Sequence, residues 1–512
     1  MAQKYIMAID QGTTGSTVLI VDVTDPLAPA VISRHTVDFT QYFPKPGWVE
    51  HDLAEIWESV VSAASKALEK LKASRSDFAL NQIQCLGITN QRETLCVFER
   101  NSGRPVARAI VWQCKRSIDI VKKLRADGAE NLVREKTGLV LDPYFSGSKL
   151  SWVLANNQDA ATKIKSGQAV VGTIDTYLIA RLTGGKSFVT EASNASRTML
   201  FNIDTGKWDQ DLTALFGAKE SYLPEVKDSA GEFGRTHGLS FLPDGIPISG
   251  ALGDQQAALA GQTCFKQGEA KCTYGTGAFL LMNIGNKKIL SNSGMLTTVA
   301  WGLSGKLTYA FEGSAFIAGA AIQFLRDQLN LITTSAETEK LALDVIGAPE
   351  VYFVPALSGL GAPYWDPMAQ GAFFGLTRGT SKNQLVRAAL EGIAFEVADL
   401  TRAMAKDNGQ PLTILKVDGG AAANNLLMQT QSDLSAVGVD RPKNLETTAF
   451  GAALFAGYGA KIYSSLDQMS NARKTDVLFK PERSVRNTER LTAMNAGWDR
   501  AVKAVRTFAG TV

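Results

Sequence analysis

A chain of 512 residues exceeds what one hydrophobic core usually supports, so two lobes are expected. Its 45% apolar and 20% charged content and formal net charge of +3 exclude broad disorder and give no electrostatic case for nucleic acid or an anionic membrane, leaving a small molecule as the expected partner. The five cysteines are scattered with no C-x-x-C pair, and no apolar run is long enough for a bilayer span or a signal peptide, so a cytoplasmic protein without membrane insertion is expected.

In chain order, Tyr5 to Asp10 predicts a buried strand, Gln11-Gly-Thr-Thr-Gly-Ser16 a turn, and Val18 to Asp22 the returning strand. Helix periodicity runs from Leu53 to Leu71, and strands are predicted at Ile83 to Ile88 and Val170 to Thr173. Thr183-Gly-Gly-Lys-Ser187 comes nearest to a P-loop ending, but Ala180 stands where that motif needs its first glycine. The run Ile246 to Gly253 leads into Asp254 and a helix-forming stretch. The glycine-threonine hairpin then recurs as Ala270 to Tyr274, Gly275-Thr-Gly277 and Ala278 to Asn283. A strand at Val351 to Pro355, a helix at Lys382 to Met404, and a strand from Leu412 to Asp418 that meets Gly419-Gly420 and a helical stretch from Ala421 complete an α/β pattern. The hinge is expected near Gly261.

Paired glycine-threonine turns let the backbone approach a polyphosphate from two sides, although each alone is more often an ordinary hairpin closure. The standard P-loop and protein-kinase motifs are absent, so phosphoryl chemistry has to use these hairpins. It also needs a carboxylate to take a proton, and two aspartates are placed for such work. Asp10 ends the first strand beside the first turn, where it could hold Mg²⁺ through water. Asp254 opens a helix, whose positive end favours its ionised form as proton acceptor; on its own it reads more readily as an N-cap. Arg92 and Glu93 in Asn90-Gln-Arg-Glu-Thr94 offer a donor and an acceptor suited to a polyhydroxylated molecule, with a surface ion pair as the plainer alternative. Trp112 and Tyr144 could supply apolar walls, or simply core.

Taken in order, Ile9-Asp-Gln-Gly-Thr-Thr14, Asn90-Gln-Arg-Glu-Thr94, Val111-Trp-Gln-Cys114, Asp142-Pro-Tyr-Phe-Ser-Gly147, Gly253-Asp-Gln-Gln-Ala-Ala258, Tyr274-Gly-Thr-Gly277 and Asp418-Gly-Gly420 resemble the FGGY carbohydrate kinases, and within them the branch acting on glycerol. The resemblance implies two actin-like (ribonuclease H-like) domains, 1–260 and 261–512, flanking a catalytic cleft. It implies transfer of the ATP γ-phosphoryl group to glycerol with Mg²⁺, giving ADP. Carried over by motif, Arg92, Glu93, Trp112, Tyr144, Asp254, Gln255 and Phe279 should bind glycerol, with Asp254 the base. Thr13, Thr14, Gly15, Ser16, Thr276, Gly319, Gln323, Gly420 and Asn424 should bind the nucleotide, and Asp10 should approach the metal. Assembly as a dimer or tetramer is expected. Thr17 stands where many relatives carry an arginine, and Thr236 to Gly245 does not resemble their effector loop. A related kinase of another polyol or a ketose, and an actin- or chaperone-like ATPase, are the alternatives.

Overall fold

The computed structural model describes residues 3–345 and 350–511, and its backbone is built on two large sheets. The first contains β1 (Tyr5–Gln11), β2 (Gly15–Asp22), β3 (Ala30–Asp38), β4 (Ile83–Asn90), β5 (Ala230–Arg235) and β6 (Pro247–Gly253), in the order β5-β6-β4-β1-β2-β3. β1 and β2 form the first hairpin, with Asp10 opposite Thr17. β4 runs parallel to both β1 and β6, and the register pairs Asn90 with Gln11 on one side and Gly253 on the other. Three segments far apart in sequence therefore finish side by side at one sheet edge, where open α/β sheets place their ligands.

The second sheet repeats the plan with β7 (Glu269–Tyr274), β8 (Ala278–Gly285), β9 (Leu296–Leu303), β10 (Lys306–Ala315), β11 (Ile414–Asp418), β12 (Val439–Pro442) and β13 (Thr475–Phe479), in the order β9-β10-β8-β7-β11-β12-β13. Here β7 and β8 form the hairpin, and β11 runs parallel to β7 with Asp418 beside Thr273.

Each sheet has its own apolar core, and a further buried cluster lies between them around the helices Asp254–Gly261 and Thr447–Gly459. The second helix reads Thr-Thr-Ala-Phe-Gly-Ala-Ala-Leu-Phe-Ala-Gly-Tyr-Gly, apolar or small nearly all round, as burial on every side requires. The two helices touch through glycine. A Cβ on Gly451 would fall 1.9 Å from the Ala257 carbonyl oxygen, and one on Gly261 would fall 1.9 Å from that of Thr447. Gly87 of β4 and Gly250 of β6 admit the same helix onto the first sheet, each with 2.3 Å from an added Cβ to its backbone.

The predicted helices extend slightly. Leu53–Ser74 starts where Asp52 Oδ1 accepts from the Ala54 amide at 2.8 Å, and Lys382–Asn408 starts in a capping box of Ser381 and Gln384. The stretch predicted to be helical from Ala421 instead makes a 3₁₀ turn, Gly420–Ala423. The α-helix Asn425–Ser435 begins later because Asn424 Oδ1 caps the Leu427 amide at 2.9 Å. All five cysteines are buried and unpaired, and among the described residues no helix is long and apolar enough to cross a membrane.

Candidate active site

At the shared edge of β1, β4 and β6, Arg92 is the hub. Its Nε lies 3.1 Å from Asp254 Oδ1, and its terminal nitrogens reach the Glu312 carboxylate at 2.6 and 3.0 Å. Arg197 adds a second link, donating from Nε to Glu93 Oε1 at 2.6 Å and from Nη2 to Glu312 Oε1 at 2.9 Å. Arg92 and Glu93 are thus buried members of a charge network, not a surface pair, and Glu312 on β10 carries that network across to the second sheet. Arg197 and Glu312 were missed as site residues. Their roles depend on contacts across 104 to 220 positions.

Backbone strain marks the same spot. Glu93 has φ +59°, uncommon for a residue with a side chain, and Ser146 Oγ holds its carbonyl at 3.0 Å. Asp254 proves not to be the helix cap, since Gly253 occupies that position with its amide bonded to Ser193 Oγ at 3.0 Å. Asp254 is the first helical residue, and its Oδ1 takes both Arg92 and the Gln255 amide, the latter at 2.6 Å. Its other oxygen has no partner among the described residues, and the side chain is 30% exposed while that of Arg92 is 2% exposed.

Burial pushes the Asp254 carboxyl above its ordinary range, with Arg92 pulling it back. Burial likewise raises Glu93 against Arg197 and Arg92. Glu312 goes the other way: burial opposes its charge, but Arg197 and Arg92 outweigh it and hold the carboxyl at about 2. Glu312 is therefore a fixed anion that organises two arginines, whereas Asp254 is the accessible carboxylate.

Trp112 and Tyr144 pack edge to face at 5.5 Å, and Trp112 Nε1 donates to Thr13 Oγ1 at 3.0 Å, tying this wall to the first hairpin. Phe279 pairs with Thr273 and Ser314, so it shares one face of the second sheet with Lys271 and Glu312. The first turn closes with Gly12 N donating to Gly15 O at 2.9 Å and leaves Thr14 exposed. Ser16 turns its hydroxyl inward to Ser59 Oγ at 2.8 Å, so that group faces the core of the first lobe. In the second hairpin, Thr276 is exposed, and Gly319 N donates to Gly275 O at 2.9 Å. Thr276, Gly319, Gln323, Gly420 and Asn424 line one cavity of about 490 Å³ with Thr338, Glu339 and Arg326; Thr13, Thr14, Gly15 and Ser16 stand apart from it on the first sheet. Thr338 was not anticipated, and its hydroxyl accepts from Asn424 Nδ2 at 3.1 Å.

Asp10 sits partly exposed at the end of β1. Burial, Asp254 and Glu446 push its carboxyl up to about 8, and Arg34 offsets little of this. Among the described residues no group of three or more His, Cys, Asp or Glu could hold a metal ion alone. Mg²⁺ in nucleotide enzymes is bound by one or two carboxylates together with phosphates, and a cation beside Asp10 would relieve the repulsion from Asp254 and Glu446 that disfavours its charged form.

The comparisons agree with this geometry. Residues 5–261 match the N-terminal domain model of the FGGY family of carbohydrate kinases, and residues 270–460 match its C-terminal domain model. The chain is 51% identical over 478 residues to a glycerol kinase of Bdellovibrio bacteriovorus, covering 93% of this chain and 95% of that one. It is 50% identical over 506 residues to a glycerol kinase of Carboxydothermus hydrogenoformans, covering 99% of each. Among solved structures, Plasmodium falciparum glycerol kinase with ADP superposes with TM-score 0.91 at 36% identity over 98% of both chains. A gluconate kinase of Lactobacillus acidophilus, with TM-score 0.86 at 21% identity and 99% coverage of each chain, shares the fold. Two matching domain models and two repeated sheets joined by a buried charge network lead to one conclusion: the chain belongs to the FGGY family of carbohydrate kinases.

Proposed function

We propose that this protein transfers the γ-phosphoryl group of ATP to a terminal hydroxyl of glycerol, giving sn-glycerol 3-phosphate and ADP, between domains comprising residues 1–260 and 261–512. The observation that carries this is Asp254, a carboxylate with one oxygen anchored by Arg92 and the other open, beside a buried array of polyol-compatible donors and acceptors. Close likeness to glycerol kinases along the full chain supports glycerol over other polyols or ketoses.

The glycerol hydroxyl oxygen bonds to the γ-phosphorus, its proton passes to Asp254 Oδ2, and the bridging P–O bond breaks with its electron pair leaving on ADP. Arg92 and Gln255 donate to substrate oxygens, Glu93 accepts from a hydroxyl, and Trp112, Tyr144 and Phe279 exclude water around the carbon chain. Thr13, Thr14 and Gly15, through the backbone and threonine hydroxyls of the first turn, hold phosphates from one side and Thr276 from the other, while Ser16, whose hydroxyl is turned to Ser59, supports the turn from behind. Gly319, Gln323, Gly420 and Asn424 bound the nucleoside. Asp10 would hold Mg²⁺, which when bound would neutralise phosphate charge. Cytoplasmic location and a dimeric or tetrameric assembly belong to the same proposal.

A coupled assay of ADP release, with mass spectrometry of the product, tests it across a panel of polyols and pentuloses. The expected result is turnover that needs both glycerol and Mg²⁺; ATP hydrolysis indifferent to glycerol, or preference for a pentulose, would overturn it.

A further inference from the structure

Lys271 lies on β7, opposite Leu281, which in turn pairs with Glu312, so its side chain projects from the same sheet face as Phe279 and Glu312. The residue is completely buried. Its ammonium donates to two neutral oxygens, Gln255 Oε1 and Thr273 Oγ1, the latter at 3.0 Å. An ammonium can only donate, so it dictates which end of the Gln255 amide faces it: the flipped amide would set NH₂ against NH₃⁺. The Nε2 end of Gln255 is left without a partner among the described residues, on a side chain that is only partly buried and adjoins Asp254. The neighbouring Gln256 offers no such freedom. It is fully buried, with Oε1 taken by Arg92 at 3.3 Å and Nε2 by the Val299 carbonyl at 3.1 Å.

We propose that Lys271 is a positioning residue that locks the Gln255 amide with its NH₂ toward the acceptor, making Gln255 an obligate hydrogen-bond donor to a substrate oxygen. The assignment rests on the polyol-kinase reading of this cleft. It gives the site a fixed polarity: Arg92 and Gln255 donate, Glu93 and Asp254 accept. An acceptor carrying an ammonium in place of the hydroxyl that meets Gln255 has only donors there and is rejected.

A double-mutant cycle tests this. Lys271→Met should raise KM for glycerol about tenfold, the loss of one oriented hydrogen bond, while KM for ATP stays within about twofold. Lys271→Arg, which keeps the donor, should restore most of the loss. In a Gln255→Ala background, Lys271→Met should cost nothing further. Penalties that multiply, failure of arginine to rescue, or an ATP KM that rises as much as that for glycerol would each overturn the assignment. Thermal melting checks folding. If methionine is not tolerated, Lys271→Gln takes its place in the cycle: a neutral amide can accept as well as donate, so it no longer dictates the Gln255 amide and should raise KM for glycerol only where Gln255 is present. Wild-type turnover of glycerol is scored separately, and the coupling between positions 271 and 255 can be read with any polyol that the wild type phosphorylates.

Discussion

Arg92 meets four polar partners from 2% side-chain exposure, and three of them are carboxylates among which the labour is divided. Glu312 neutralises the arginines, Glu93 is held by Arg197 on a backbone of positive φ, and Asp254 keeps one oxygen without a partner among the described residues. Asp254→Asn removes the proton acceptor but keeps the shape and the Oδ1 contacts. Its kcat should fall by roughly 10²–10⁴-fold, the usual range for a general base, with the melting temperature and KM for ATP little changed. Steady-state kinetics with a parallel thermal melt checks this; kcat within a few-fold of the wild type would remove Asp254 from that role. At this scale Asn90 to Thr94 and Asp254 stood out only through the ordered family motifs, because on its own an arginine-glutamate pair after a strand reads as a surface ion pair and an aspartate before a helix as a cap. Arg197 and Glu312 did not, because an isolated arginine or glutamate carries no mark of the partner it meets across the cleft.

Among the elements, the hairpin β1–β2 and the segment Asn90 to Thr94 are held in register by a glutamine relay. Gln91 Nε2 reaches Gln11 Oε1 at 3.0 Å, the Gly12 carbonyl at 3.1 Å and His51 Nδ1 at 3.3 Å. Since the amide donates, His51 Nδ1 accepts, leaving a buried Nε2 with no partner among the described residues. Burial drives the His51 imidazole down to about 4 from its ordinary 6.5. The unfolded chain therefore takes up this proton first as pH falls. The stability His51 contributes is complete above about pH 6.5 and is lost as pH drops toward about 4, by up to about 3 kcal/mol. His51→Gln, which does not titrate, should lose less melting temperature between pH 7 and 4.5 than the wild type; equal losses would show that His51 does not drive this limb. The helix pair is equally exacting. Gly451→Ala puts a methyl group into the Ala257 carbonyl, so the helix carrying Asp254 must shift. The expected cost is about 1–3 kcal/mol together with reduced kcat/KM, measured by calorimetry and kinetics. Strand and helix locations were readable from period and caps, whereas the helix start at Asn425 depended on a single side-chain cap that the run of alanines hid.

At the scale of the whole molecule, the helix Thr447–Gly459 comes late in the chain yet packs on β1, β4 and β6 of the first sheet. Division of the chain at residues 260 and 261 is thus a proposal about activity and motion, with a core shared across the boundary. A fragment of residues 1–260 leaves that sheet face uncovered and should bind a hydrophobic dye, aggregate and lack a cooperative melt. A soluble fragment with a sharp transition would mean that the first lobe needs no cover. The sequence by itself determined the α/β class, the two hairpins and the family, since each is written in local periodicity, turn chemistry or contiguous motifs. Tertiary structure alone decided that Glu312 from the second lobe completes the Arg92 site, that Lys271 governs the Gln255 amide, and that a late helix covers an early sheet. Each depends on groups brought together by parallel strand register and interlobe packing, and these long-range juxtapositions leave no local trace in the order of residues.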